Sequence, residues 1–193
     1  MKLFYYDLET TGVLVNRNGI HQISAIIEID GEVKEKIDLK VQPNPKAKIE
    51  EEALKVSGVT KEQILAYPSM NVIYKQLIEI LNKYIDKYNK KDKFTLIGYN
   101  NASFDNSFLR AWFIQNGDNY FGSYFWSNSL DTMVLASYYL KDRRSELINF
   151  KQSTVAEFFG ITVEEDKLHD ALYDVEICRA IYQTIDTNIK KII

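Results

Sequence analysis

Two apolar segments joined by a two-residue turn constrain the fold of this chain more than any other feature. Residues 20–29 are apolar and β-branched, and Asp30-Gly31 follows them as a strong hairpin turn signal. Along residues 33–41, apolar and charged side chains alternate, which is typical of a half-exposed strand. The sequence therefore predicts an antiparallel pair whose second strand lies toward the edge of a sheet.

Further strands and helices are predicted around this pair. A capping box is expected from Thr60 to Gln63, and another from Thr154 to Glu157 with Gly160 as the helix stop. Strands are predicted at 3–9 and 94–99, and helices at 72–88, 105–115, from 131, from 154 and from 170. The order predicts an α/β fold with a mixed central sheet flanked by helices, in a single domain over residues 1–193.

Composition indicates an ordinary globular protein. The chain is 46% apolar and 26% charged with a net charge of −3, so it lacks the strong basic bias of many nucleic-acid binders. A single cysteine, Cys178, excludes a disulfide framework and a cysteine-based zinc site, and it fits a reducing, cytoplasmic setting. The sequence contains no apolar run of the length of a signal peptide or a membrane span, so no membrane partner is expected.

A pair of carboxylates near the N-terminus is the first candidate functional feature. Asp7 and Glu9 stand two apart on a predicted strand, so both side chains point to one face. Adjacent carboxylates repel each other unless a cation lies between them. The following residues, Thr10-Thr11-Gly12, offer backbone N–H groups to a sugar hydroxyl or a phosphate. Taken alone, the pair is better explained by solvated charges at a strand end.

Two later motifs add acidic residues and a histidine. Asp105 ends the sequence Asn-Ala-Ser-Phe-Asp after a predicted buried strand, although it would also suit a plain helix cap. His169 and Asp174 belong to His-Asp-Ala-Leu-Tyr-Asp at the start of the last helix. This third motif is the most specific signal in the chain, and its alternative is an ordinary helix N-terminus with a surface histidine.

Together these residues suit hydrolysis of a phosphodiester. Mg²⁺ (or Mn²⁺) prefers oxygen ligands, and two such ions about 3.5–4 Å apart can stabilise the attacking and leaving oxygens. Asp7, Glu9, Asp105 and Asp174 supply carboxylates for two ions, and His169 supplies a base for the attacking water.

The three motifs, in this order and at this separation, resemble those of the DEDDh 3′→5′ exonucleases. Within that family the chain is similar to the proofreading epsilon subunits of bacterial DNA polymerase III. Residues 52–60 and 130–132 look like secondary landmarks of the family. The resemblance covers nearly the whole chain. It implies an RNase H-like fold and metal-dependent release of nucleoside 5′-monophosphates from the 3′ end of DNA, with single-stranded DNA as the expected form.

The resemblance also implies roles for the five active-site residues. Asp7 would bridge both metal ions, Glu9 and Asp174 would complete one metal site, and Asp105 would support the other. His169 would act as the general base.

Contacts with the substrate and with a partner follow from the same resemblance. Thr10 and Thr11 would meet the 3′-terminal nucleotide, and Phe104 would line its pocket. The expected partners are DNA or RNA ends and, for the proofreading branch, a DNA polymerase. Because the chain ends fewer than twenty residues after Asp174, without the tail that docks the proofreading subunit, it is expected to stand alone or to dock differently.

Some positions depart from the family pattern and bear on substrate preference. Asn100 stands where the second motif often has histidine. Gln22 and Ser24 stand where the proofreading subunits often have Glu and Gly. An RNA-trimming exoribonuclease therefore remains the alternative, because the catalytic residues do not report on a 2′-hydroxyl. A non-catalytic nucleic-acid-binding module is disfavoured, because it would be expected to lose an active-site residue.

Two other features are open to a functional interpretation. Asp131 would serve as a fifth acidic ligand or, more simply, as a helix cap before Thr132. Three adjacent aromatics, Tyr124 to Trp126, fall in a predicted surface loop from which they would grip a single strand. His21 is expected to have a structural role.

Overall fold

The structure, a computed structural model, describes residues 1–168 and 170–191. The strands are β1 (Lys2–Thr10), β2 (Ile20–Ile29), β3 (Glu32–Lys40), β4 (Thr95–Gly98) and β5 (Leu130–Asp131). The helices are α1 (Glu51–Val56), α2 (Lys61–Leu65), α3 (Met70–Asn82), α4 (Asp105–Gln115), α5 (Phe121–Tyr124), α6 (Thr132–Tyr139), α7 (Gln152–Phe158) and α8 (Ala171–Lys190). Two 3₁₀ turns, Lys141–Glu146 and Glu165–Lys167, precede α7 and α8.

The strands form one mixed sheet in the order β3-β2-β1-β4-β5. β1, β2 and β3 are antiparallel, whereas β4 pairs with β1, and β5 with β4, in parallel. Asp30 and Gly31 both have positive φ, 52° and 88°, as the predicted tight turn requires. The mixed sheet, the hairpin and the edge position of β3 are thus confirmed.

Because successive side chains of β1 point to opposite faces of the sheet, they pack in two different cores. Phe4 and Tyr6 pack in the larger core with residues of α3 and α4. Leu3 and Tyr5 point to the other face and pack in a smaller core that contains Val175 of α8. Because side chains on a strand alternate with period two, Asp7 and Glu9 continue the row of Leu3 and Tyr5 and face the side covered by α8.

A third apolar core lies on the face of α8 that is turned away from the sheet. Ile177 and Ile181 of α8 pack with Ala136 of α6 and Val155 of α7. Cys178 is 2% exposed in the core under α8, so it is the buried thiol that its position on an apolar helix predicts. Within the described residues, no helix is long and apolar enough to cross a bilayer.

Two helix boundaries differ from the sequence prediction because local side-chain bonds compete with the helix. α3 ends at Asn82, and Tyr88 is 85% exposed, since the carboxylate of Asp86 accepts from the Tyr88 N–H at 3.0 Å in a turn. α7 starts at Gln152, ahead of the predicted Thr154 cap, because the Thr154 hydroxyl donates to Asn149 Oδ1 at 2.8 Å instead.

The aromatic triplet predicted to grip substrate is mostly core, which corrects that prediction. The segment predicted as a surface loop contains α5, and Tyr124 and Phe125 are each only 1% exposed. Phe94 bridges to Phe125 and extends the sheet there, so the apolar side chains find partners inside the protein. Only Trp126 is accessible, with Lys93 5.3 Å above its ring.

A substitution at Gly98 tests how tightly the end of β4 is packed. A Cβ there would lie 2.7 Å from Asn101 Cβ and 3.0 Å from the backbone oxygen of Tyr6. Gly98→Ala should therefore destabilise the protein by about 1–3 kcal/mol in urea unfolding, because the turn after β4 must shift. Gly122→Ala is the matched control, since nothing lies within 4 Å of its Cβ position. Equal stability of the two variants would contradict this packing.

Candidate active site

The topology gathers the acidic residues at one edge of the sheet. β1, β4 and β5 run parallel, so their carboxyl ends lie side by side, as in other open sheets that bind ligands there. Asp7 and Glu9 lie in the last part of β1, and Asp105 begins α4 a few residues after β4. The first two sequence motifs thus lie close together, because each stands at the end of one of two neighbouring parallel strands.

Helix α8 brings the fourth carboxylate to the same edge. Its N-cap, Asp170, accepts from the N–H groups of Leu172 and Tyr173 at 3.0 and 3.1 Å. Ala171 is 1% exposed and allows the first turn to lie close against the sheet, with Asp174 on the same turn. Gln152 of α7 donates to the Asp174 backbone oxygen at 2.7 Å. His169, the predicted general base, lies outside the described residues.

The carboxylates are close enough to perturb one another. Burial, and then the charges of Asp105, Glu9 and Asp174, raise the pKa of Asp7 well above its ordinary value. Burial also raises the pKa of Asp105 to about 7; the N–H groups of Asp105 itself and Leu8 oppose this rise, and the charge of Glu9 adds to it. The four predicted ligands therefore share one electrostatic environment, as residues meant to surround cations would.

The donor set fits hard divalent cations, although it does not form a finished coordination shell. Every candidate ligand offers carboxylate oxygens, the atoms that Mg²⁺ and Mn²⁺ prefer. Among residues 1–168 and 170–191, no three His, Cys, Asp or Glu side chains lie close enough together to hold an ion as they stand.

A serine that the sequence reasoning missed contacts one of these carboxylates. Ser57, the residue that ends α1, donates its hydroxyl to Glu9 Oε2. Ser57 belongs to residues 52–60, which look like a landmark of the family. This likeness is the signal in the sequence that points to Ser57, but it assigns the residue no role. The hydrogen bond fixes the direction of the Glu9 carboxylate.

The loop after β1 is held mainly by its own side chains. The Thr11 hydroxyl donates to the Lys48 carbonyl at 2.7 Å and accepts from the Gly19 N–H at 3.0 Å, and the side chain is fully buried. Thr10 donates to the Gly12 carbonyl at 2.8 Å and is 8% exposed. Both hydroxyls shape the loop, and their contact with a terminal nucleotide stays a prediction.

Phe104 directly precedes the carboxylate of the second motif. The ring is half-buried and packs on Phe108 with 4.9 Å between centroids. It stands at the N-cap position of α4, next to Asp105 in the chain. Its role in lining a nucleotide pocket stays a prediction.

A polar cleft of about 450 Å³ lies beside Glu9. Ser57 lines it together with Lys40, Tyr67 and Lys167. Gln22 lines it too, and its amide donates to Asp38 Oδ1 at 2.7 Å. The cleft thus combines cationic, aromatic and amide groups with the carboxylates of Asp38, Asp166 and Asp170.

Two polar residues on the second strand prove to be internal. Ser24 is fully buried and donates to Asp38 Oδ1 at 2.9 Å. His21 is also fully buried, neither ring nitrogen has a hydrogen-bond partner among the described residues, and burial lowers its pKa to about 4. A neutral, inward-facing His21 matches the structural role predicted for it.

Comparison with known proteins identifies the family of the chain. The sequence profile of the RNase T exonuclease family matches residues 4–182. The chain belongs to this exonuclease family. The resemblance inferred from the three motifs, to a 3′→5′ exonuclease of the DEDD type, is therefore confirmed.

Individual relatives agree with this assignment. The chain is 25% identical over 178 residues to a PolC-type DNA polymerase III of Mycoplasmopsis pulmonis (strain UAB CTIP), covering 92% of this chain and 11% of that protein. Exonuclease I of E. coli in complex with a dT13 oligonucleotide superposes with a TM-score of 0.79 at 21% identity, covering 99% of this chain and 42% of the other. A zinc-bound form of the E. coli exonuclease I complex with single-stranded DNA gives a TM-score of 0.77 at 20% identity, covering 97% and 40%.

These likenesses confirm the predicted RNase H-like α/β fold. The chain spans a small part of the polymerase relative and less than half the length of exonuclease I.

Removing one repelling charge should reveal the electrostatic cost of the site. The raised pKa of Asp105 means that its contribution to stability is present in acid and is lost as pH rises through about 7. In chelator at pH 8, Asp105→Asn should therefore raise the melting temperature, by a stabilisation on the order of 1 kcal/mol. Near pH 5 the difference should shrink, because the wild-type carboxyl is then largely protonated.

Thermal unfolding at both pH values, with and without Mg²⁺, measures this effect. Asp142→Asn is the control, since Asp142 is exposed on the turn Lys141–Glu146. A lower melting temperature for Asp105→Asn in chelator at pH 8 would refute the repulsion.

Proposed function

We propose that the chain is a metal-dependent 3′→5′ exonuclease that releases nucleoside 5′-monophosphates from the 3′ ends of single-stranded DNA. The observation that carries the proposal is the convergence of Asp7, Glu9, Asp105 and Asp174 in one electrostatic environment at the carboxyl edge of the sheet. Membership of the exonuclease family supports the reaction class.

The reaction is hydrolysis of the terminal phosphodiester. Water attacks the phosphorus, the bond to the 3′ oxygen of the preceding nucleotide breaks, and that oxygen leaves as the new 3′-hydroxyl. His169 takes the proton from the attacking water. Asp7, Glu9, Asp105 and Asp174 hold the divalent cations, Mg²⁺ or Mn²⁺. When bound, these ions stabilise the negative charge of the attacking and leaving oxygens.

A single strand suits the surroundings of the site. The cleft beside Glu9 offers Lys40 to a phosphate and Tyr67 to a base, although the carboxylates of Asp38, Asp166 and Asp170 also line it. Phe104 offers a second aromatic face beside Asp105. The similar structures of exonuclease I carry single-stranded DNA, which supports DNA as the first substrate to test.

A set of matched oligonucleotides tests direction, substrate and end requirement together. A 5′-labelled dT13 with Mg²⁺ should shorten stepwise into a ladder, whereas a 3′-labelled copy should lose its label at the first step. Duplex ends should be cut more slowly, because terminal pairs must open first. Shortening of the RNA copy alone would replace the DNA proposal with an exoribonuclease, and equally fast cutting of circular strands would contradict end recognition.

Two carboxylate substitutions test the proposed ligands. Asp7→Asn and Asp174→Asn should each lower kcat by more than about 10²-fold, because each removes a charge that holds the cations, a loss of several kcal/mol in the transition state. Asp142→Asn should keep wild-type activity, and circular dichroism should show all three variants folded. Undiminished hydrolysis in excess chelator would rule out the metal-dependent reaction.

Substitution of the histidine tests the general base. His169→Ala should lower kcat by roughly 10²–10⁴-fold with little change in KM, because the imidazole acts on water and hardly binds the strand. In the wild type the rate should rise with pH as the imidazole becomes neutral. If the same rising limb persists in His169→Ala, the base is another group.

A further inference from the structure

One carboxylate outside the predicted ligand set holds the turn that delivers Asp105. Asp131 ends β5 directly beside the end of β4, where Gly98 is its partner in the parallel ladder. β4 stops at Gly98, so the N–H groups of the residues that follow have no strand to bond to. The Asp131 carboxylate accepts them instead, from Asn100 at 3.0 Å through Oδ1 and from Ala102 at 3.1 Å through Oδ2.

The same carboxylate also caps the next helix. Oδ1 accepts from the N–H groups of Met133 at 3.0 Å and Val134 at 3.4 Å, so the predicted cap is present. Both oxygens are thus directed at backbone donors, and the side chain is only 7% exposed. Four backbone N–H groups bond to this carboxylate, which supports the cap over the alternative of a fifth metal ligand.

Capping alone does not explain this arrangement, as a second cap in the chain shows. Asp170 caps α8 with nearly the same backbone angles, φ −82° and ψ 110° against −83° and 111° for Asp131. Its carboxylate accepts from Leu172 and Tyr173, the N–H groups of its own helix. The bonds from Asp131 to a turn some thirty residues earlier are additional.

The turn held by Asp131 has a left-handed residue at its start. Asn100 has a φ of 62°, a conformation that asparagine adopts more readily than most other residues with a side chain. Ser103 supports it by donating to Asn100 Oδ1 at 2.6 Å. The Asn101 carbonyl then accepts from the Asn106 N–H at 3.0 Å, which ties the turn to the first turn of α4 next to Asp105.

We propose that Asp131 is a positioning residue for the exonuclease reaction, which clamps the Asn100–Ala102 turn and thereby fixes Asp105 at the catalytic edge. The inference rests on the proposed function. Loss of the clamp weakens cation binding and lowers kcat, because both depend on the position of Asp105. Once the site is saturated with metal, strand binding stays nearly unchanged, because Asp131 does not line the cleft proposed for the strand.

Asp131→Ser separates the clamp from the cap. Serine is among the best N-caps, so α6 keeps its cap, but the shorter side chain with one oxygen cannot also bond both turn N–H groups. Asp131→Asn is a milder variant, because its amide oxygen can keep the cap and the Asn100 bond while losing the Ala102 bond. Thr60→Ala is the matched control, since it removes the cap of α2, which lies in another part of the chain.

The first readout is independent of activity. Amide hydrogen exchange at Asn100 and Ala102 should be at least about tenfold faster in Asp131→Ser than in the wild type, and unchanged in Thr60→Ala. Calorimetric titration with Mn²⁺ should give a Kd weakened about 10–100-fold in Asp131→Ser, the usual effect of losing a residue that orients a ligand. Unchanged exchange at both amides would overturn the clamp.

The second readout is kinetic. With dT13, Asp131→Ser should lose about 10–100-fold in kcat with a change in KM of less than about threefold, and Asp131→Asn should fall between it and the wild type. Faster exchange with unaltered kcat and Mn²⁺ affinity would overturn the positioning role. If the wild type degrades no oligonucleotide, the proposed function fails, and the exchange and Mn²⁺ measurements still decide whether Asp131 fixes Asp105.

Discussion

Repulsion among carboxylates at one edge of the sheet is the constraint that the surrounding structure must offset. Burial and neighbouring charges raise the pKa of both Asp7 and Asp105, so the folded protein holds acidic groups in an arrangement that they oppose. Several features offset the repulsion. Asp105 and Asp174 lie in the first turns of α4 and α8, where the helix dipole favours negative charge. The Ser57 hydroxyl donates to Glu9, and the apolar rows of β1 anchor the strand on both faces.

Much of this arrangement could be predicted because it depends on residues that are neighbours in the sequence. The hairpin at Asp30-Gly31 follows from turn chemistry, and the bounds of α4 from its apolar spacing. The alternation along β1 predicted that Asp7 and Glu9 share a face, which the pairing confirms. That two motifs stand at the ends of parallel neighbouring strands was not readable from spacing, because it depends on the order of strands in the sheet.

The features that escaped prediction depend on contacts between distant parts of the chain. Ser57 and Glu9 are 48 residues apart, and nothing near Ser57 indicates where its hydroxyl points. Phe125 looked like a loop aromatic because the short helix α5 before it carries no clear period, yet tertiary packing buries it. Asp131 was predicted as a cap from its neighbours alone, and its bonds to the turn after β4 depend on the order of strands in the sheet.

A net charge of −3 sets a further condition on a protein that acts on a polyanion. Long-range attraction cannot concentrate a strand at the site, because the field of the whole chain is weakly repulsive. Attraction must then be local, and cations held by the carboxylates would supply it, because Asp38, Asp166 and Asp170 offset Lys40 and Lys167 in the cleft. The same ions that stabilise the reacting oxygens would also cancel the charge that repels the substrate. Substrate affinity and chemistry therefore depend on one event, the binding of metal, and a metal-free site both resists its own charges and repels the strand.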